Sequence, residues 1–192
     1  AVSVLDYEDF ARGFAGVAKA RATMLQLPAG PAIAITIAGP GGAVVSTESP
    51  IARNLAEALA ANGDPHVAVR LLPHRASTFR LGLKVKCDPQ FEARLVLGAV
   101  EAALRERFGF DARALGAPLR QSEIIAVAHS VRGVVAIDLD FLYGGTSPVS
   151  QTLKSCQPRL LAARMNVVAG VPQPDELITL HPGVFERLEE MP

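Results

Sequence analysis

Apolar and polar residues alternate along this chain in a sequence of helix and strand periods. The opening stretch SVLDYEDFARGFAGVAKA sets Ser3 three residues ahead of Asp6, as in a capping box, and Tyr7, Phe10, Phe14 and Val17 follow at helical spacing. This predicts a helix from about Ser3 to Gly16. KARATMLQL then alternates as a strand, PAG turns, and AIAITIAG (Ala32 to Gly39) reads as an isoleucine-rich strand closed by PGG. Pro50 opens a helix through IARNLAEALAANG, with Gly63 as its stop. VAVRLLPHRASTFRLGLKVKCDP reads as two strands broken near Pro73.

The second half repeats the logic. A long amphipathic helix is expected from about Pro89 to Phe108, with Leu97, Val100, Leu104 and Phe108 as its buried stripe. A short helix follows from Ser122 as N-cap to Val131, and then VVAIDLDFLY as a strand. Beyond Gly144 the chain is rich in loop residues, with strand candidates at PRLLAARM and ELITL. The fold class is α/β of the α+β sandwich type, with two small subdomains, each a short mixed or antiparallel sheet with two helices on one face. The expected boundaries are 1–75, 76–143, and a loop-rich tail at 144–192 on which the folding of the two halves does not depend. The chain enters a helix pattern directly from Ala1, which reads as a piece of something longer.

Composition narrows the function classes. Of 192 residues 49% are hydrophobic, enough for a packed core, and 19 basic residues balance 19 acidic ones. Zero net charge gives no bulk attraction to nucleic acid or anionic lipid. Aromatic residues are 5% with no Trp, which argues against base stacking as the main task. The apolar runs fall far short of the ~20 residues that span a bilayer, and no signal peptide is visible. Cys87 and Cys156 lack metal or redox spacing and read as free thiols.

The candidate chemistry is sparse. Asp138 and Asp140 stand two apart on one strand and so share a face, with Ile137, Leu139 and Phe141 expected on the other. A divalent metal would need more oxygen ligands than the one local carboxylate, Glu123, supplies. AGPGGAVV (Ala38 to Val45) has neither the P-loop lysine nor GxGxxG spacing, and reads as a turn. His66, His74, His129 and His181 show no metal-binding spacing. Arg70, His74, Arg75, Arg80, Lys84 and Lys86 gather on the central strands, with Arg80, Lys84 and Lys86 on one face opposite Phe79, Leu81, Leu83 and Val85. That face is either solvated or a contact for an acidic partner. No catalytic, cofactor or metal residue is assigned. Partner contacts are expected at Tyr7, Phe10, Phe14, Arg80, Lys84 and Lys86, the first three as a large apolar stripe.

Three stretches in order carry a resemblance: VLDYEDFARGFAGVAKARA, GDPHVAVRLLPHRASTFRLGLKVKCDP, and RLVLGAVEAALRERFGFDARALGAPLRQSEIIAVAHSVRGVVAIDLDFLY. Together they resemble the C-terminal portion of the baseplate J-like proteins, wedge components of contractile phage tails and phage-tail-like injection systems. The tail from Gly144 fits more loosely. The resemblance implies a non-enzymatic assembly role with no cofactor. The implied partners are other wedge and hub proteins and the sheath, in a multi-copy ring assembled in the bacterial cytoplasm, with no nucleic acid and no membrane insertion. Two other classes stay open: a small hydrolase or transferase, and a ligand-binding module on the LGLKVK strand face.

Overall fold

The computed structural model describes residues 3–28, 30–151 and 156–192. In chain order the elements are α1 (Val4–Arg12), β1 (Lys19–Leu27), β2 (Gly30–Ala38), α2 (Pro50–Asn62), β3 (Ala68–Pro73), β4 (Arg75–Cys87), α3 (Ala93–Phe108), β5 (Leu119–Arg120), α4 (Gln121–His129), β6 (Val134–Gly144), β7 (Arg159–Leu160), β8 (Asn166–Val168), β9 (Val171–Gln173), β10 (Glu176–Leu180) and β11 (Arg187–Glu190). This is the mixed α/β architecture the pattern predicts. The chain forms two compact units. One comprises Ala1–Ala76, Ala114–Gly116 and Ala162–Leu177, the other Ser77–Arg113, Ala117–Leu161 and Ile178–Pro192.

In the first unit β1 and β2 form an antiparallel hairpin, and β2 pairs in parallel with β3 across the α2 crossover. Ile33, Ile35 and Ile37 point to one face and pack with Leu55 and Leu59 of α2 and with Tyr7 and Ala11 of α1. Burying each leucine contributes roughly 1.5–3 kcal/mol. The capping box forms as spaced: the Ser3 hydroxyl accepts the Asp6 N–H at 3.2 Å, and Asp6 accepts the Ser3 N–H at 2.9 Å. Helix α1 ends at Arg12, short of the expected Gly16, because Gly13 caps it and tight turns follow. Ser49 caps α2 with Pro50 behind it, and Gly63 stops it. A Cβ on Gly63 would stand 2.7 Å from both the Leu59 carbonyl oxygen and the Tyr7 hydroxyl, so only glycine fits there.

In the second unit β4 is central. Its residues Phe79, Leu81, Leu83 and Val85 are fully buried beneath α3 and α4. Phe79 meets Phe108 edge to face at 5.9 Å. Strand β6 takes one edge of β4, antiparallel. On the other edge β4 carbonyls accept the N–H groups of His181, Glu186 and Met191, which flank β10 and β11. The segment beyond Gly144 is therefore not an appendage. It supplies strands beside β4 in this unit, and residues 162–177 to the first. Three local expectations shift. Helix α3 begins at Ala93 because Asp88 takes the Gln90 and Phe91 N–H groups into a turn. Its fully covered stripe is Val96, Val100, Leu104 and Phe108, with Leu97 only half-buried. Helix α4 starts at Gln121, whose N–H bonds the Pro158 carbonyl, so Ser122 is not its cap.

Candidate interaction surfaces

Asp138 and Asp140 differ in kind. The β4–β6 register slips between Gly82 and Leu83: Phe141 faces Gly82, Leu139 faces Leu83, and Asp140 bulges between them. The bulge carries Phe141 onto the polar face, against the expected alternation. There it lies over Gly82, where a Cβ would stand 2.7 Å from the ring, and the Arg187 guanidinium stacks 5.6 Å from its centroid. Asp140 accepts a hydrogen bond from Arg187 at 2.7 Å and lies 3.5 Å from Lys84. The Arg187 bond, outweighing burial, holds the Asp140 carboxyl below its ordinary range. Asp138 stays exposed opposite Lys84.

Arg80 anchors a second network. Its guanidinium pairs with Glu186 and donates to the Thr146 and Val184 carbonyls at 3.2 and 3.3 Å. The Val149 N–H donates to Glu186 at 3.0 Å, and the Tyr143 hydroxyl donates to the Ser147 carbonyl at 3.1 Å. Burial, reinforced by Glu186, pushes Tyr143 up to about 12. Burial also pushes Glu186 up, but hydrogen bonds from Val149, Tyr143 and Arg80 outweigh it and leave its carboxyl low. Both groups keep one protonation state at neutral pH. The cluster fixes two loops and offers little as acid or base.

The third network was not legible in advance. Asp175 is fully buried in the first unit. It exchanges hydrogen bonds with Thr36 at 3.0 and 3.1 Å, accepts the Met165 N–H at 3.0 Å, and lies 3.4 Å from Arg21. Arg21 also donates to the Leu115 carbonyl at 2.9 Å. One carboxylate thus ties together β1, β2 and the segments at 114–116 and 162–177. The available sign was Thr36 itself, the one polar residue of a strand buried on both faces.

The expected contact residues separate accordingly. Tyr7 is 1% exposed, its hydroxyl accepting the Asp64 N–H at 2.9 Å, so its side chain offers no surface to a partner. Phe10 and Phe14 are half-buried against the same core, Arg80 is clamped, Lys84 is half-buried beside Asp140, and Lys86 is exposed. Among the histidines, His66 and His129 are exposed, while His181 accepts the Gly183 N–H at 3.0 Å. His74 is buried, neither ring nitrogen has a hydrogen-bond partner among the described residues, and burial lowers its pKa. Cys87 and Cys156 are free thiols. Among the described residues, no three His, Cys, Asp or Glu side chains group to hold a metal ion, and no helix is long and apolar enough to cross a membrane. A cleft of about 180 Å³ is lined by Arg105, Gly109, Leu180 and Pro182. Arg105 there already bonds Glu101 and the Pro182 and Gly183 carbonyls.

Residues 1–72 match the family model of the baseplate J-like central domain. No curated protein matches the chain. Among solved structures, a chain of the anti-feeding prophage baseplate, determined by cryo-EM with 6-fold symmetrisation, matches with a TM-score of 0.58 at 10% identity. The match covers 93% of this chain and 38% of that one, so this chain spans well under half the length of its structural relative. The likeness is one of fold, and it continues beyond the segment that the family model covers. Residues 1–72 thus resemble the baseplate J-like central domain, and the remainder of the chain is similar to a baseplate chain in fold alone.

Proposed function

We propose that this chain is a structural component of the baseplate of a contractile phage tail or phage-tail-like injection particle, acting by protein–protein contact and not by catalysis. The match of residues 1–72 to the baseplate J-like central domain carries this reading, and the fold likeness to a prophage baseplate chain supports it. Its partners are other wedge and hub proteins and the sheath, in a ring of repeated copies assembled in the bacterial cytoplasm. Modest pairwise contacts gain strength from ring closure. Phe10, Phe14, Lys84 and Lys86 are the contact residues we retain. The enzyme and ligand-module alternatives find less support, because Asp140, Glu186 and Arg105 are engaged in ion pairs and loop-fixing bonds. The test is direct: particles purified from the native host are analysed by mass spectrometry with and without the gene. The chain is expected at fixed stoichiometry with the other baseplate proteins, and intact particles from the deletion strain would overturn the proposal.

A further inference from the structure

The first unit carries a feature that neither its core nor its polar knot uses. Residues 22–47 contain no Asp, Glu, Lys or Arg, and neither do residues 165–174, in a chain where such residues make up 20%. The two stretches meet in space. Strand β8 packs against β1, and a Cβ on Gly170 would lie 3.5 Å from Pro28 Cγ. The β1–β2 and β8–β9 hairpins therefore lie together within one unit. Their outward side chains are uncharged: Gln26, Asn166 and Gln173 are exposed, and the apolar ones are Met24 at 58% exposed, Val168 at 54% and Val171 at 58%. Val168 and Val171 face each other across the β8–β9 ladder. The turn joining them adds to this. Ala169 has φ 49° and is the one described residue other than glycine with a positive φ, followed by Gly170 at 79°. Such turns favour Asn or Asp at the first position. Alanine is held there at a steric cost and leaves the tip without a polar side chain.

We infer that this tip is a docking surface for an uncharged, apolar surface on another protein of the particle. The inference rests on the assembly role proposed above. Charge selects the occupant: a charged partner surface would lose its hydration against this tip and find no counter-charge. A lipid surface is normally met by Lys or Arg beside Trp or Tyr, and neither stretch holds any of these.

The test uses the full chain carrying Val168→Asp and Val171→Asp, expressed in place of the wild type. Leu95→Asp, at an exposed apolar position of α3 in the other unit, serves as control. The readouts are the fraction of chain that sediments with purified particles and the melting curve of each variant. The double variant is expected to melt like the wild type while its incorporation falls about tenfold or more, with the control unaffected. Should the aspartates lower the melting temperature, Val168→Thr with Val171→Thr keeps side-chain shape and strand propensity and is expected to lose incorporation too. Wild-type incorporation by a folded tip variant would overturn the inference and leave the baseplate role standing. Exclusion of the wild-type chain itself from particles would overturn both. Wild-type chain should also stay in solution with neutral phosphatidylcholine vesicles. Pelleting with them that the aspartate pair abolishes would assign the tip to lipid and overturn the protein partner.

Discussion

Thr36 is a hydroxyl in a strand buried on both faces, and Asp175 satisfies it. Replacing Asp175 with Ala leaves Arg21 and Thr36 facing a buried gap, at an expected cost of about 3–5 kcal/mol. Thr36→Val should cost about 1–3 kcal/mol. The double variant should cost less than the sum, and urea titration of the four proteins measures the coupling. Additive costs would mean the two do not act together. Asp138 and Asp140 allow a sharper comparison. Asp138→Asn should change stability by no more than about 0.5 kcal/mol. Asp140→Asn should be the more destabilising, though by less than about 1 kcal/mol, because Asp140 and Arg187 both stay partly open to solvent. Since Arg187 lowers the Asp140 pKa, its contribution is present above the ordinary carboxylate range near 3.9 and disappears as the pH falls below it. His74 acts at milder pH. Burial lowers its folded pKa, so the stability linked to it is complete above about 6.5 and declines as the pH falls from there toward the folded value. Urea midpoints at pH 7.5 and 5.5 should converge in His74→Leu relative to the wild type. An unchanged difference would show that His74 takes no part in the acid response.

At the scale of elements, α3 shows both what spacing predicts and where it slips. Val100, Leu104 and Phe108 were expected to be buried and are; the fourth member is Val96, one position before Leu97. The helix seats residues 96, 100, 104 and 108 at intervals of four, and the turn at Asp88 sets where it begins. Leu104 is fully buried, and Leu104→Ala should cost roughly 2–5 kcal/mol through lost contact and the cavity left behind. A loss under about 0.5 kcal/mol in a thermal melt would mean that the helix does not present this face to the sheet.

For the whole molecule, the chain leaves the first unit after Ala76 and returns to it twice, at Ala114–Gly116 and at Ala162–Leu177. The carboxy-terminal residues then line an edge of β4. A chain truncated after Leu177 would lack β11 and most of β10 and would bare a row of β4 carbonyls that the full chain pairs. It is expected to be insoluble, or to lose cooperative unfolding of the second unit when followed by circular dichroism. A truncated chain that stays soluble and melts like the full one would show that these strands do not support β4.

Local sequence by itself determined the elements whose causes lie within a few residues. Ser3 with Asp6 wrote the first helix cap, Pro50 and Gly63 bounded the second helix, alternation set β1 and β4, and an isoleucine-rich run set β2, because caps, side-chain periodicity and short apolar runs need only near neighbours. The order of three longer stretches also carried the family resemblance. What the sequence could not settle was anything joining residues far apart along the chain. The bulge at Asp140 arises from pairing with β4, so alternation within β6 placed Phe141 on the wrong face. Tyr7, Phe10 and Phe14 have the spacing of an exposed stripe, yet the sheet and α2 close over Tyr7 and half-cover the other two. Arg80 looked like a surface cation until Glu186, distant in sequence, came beside it. Asp175 sits in a loop-like stretch of prolines and gains its buried role only because tertiary folding carries it to Thr36, where an unpaired hydroxyl and an unpaired carboxylate would each be costly and together are not.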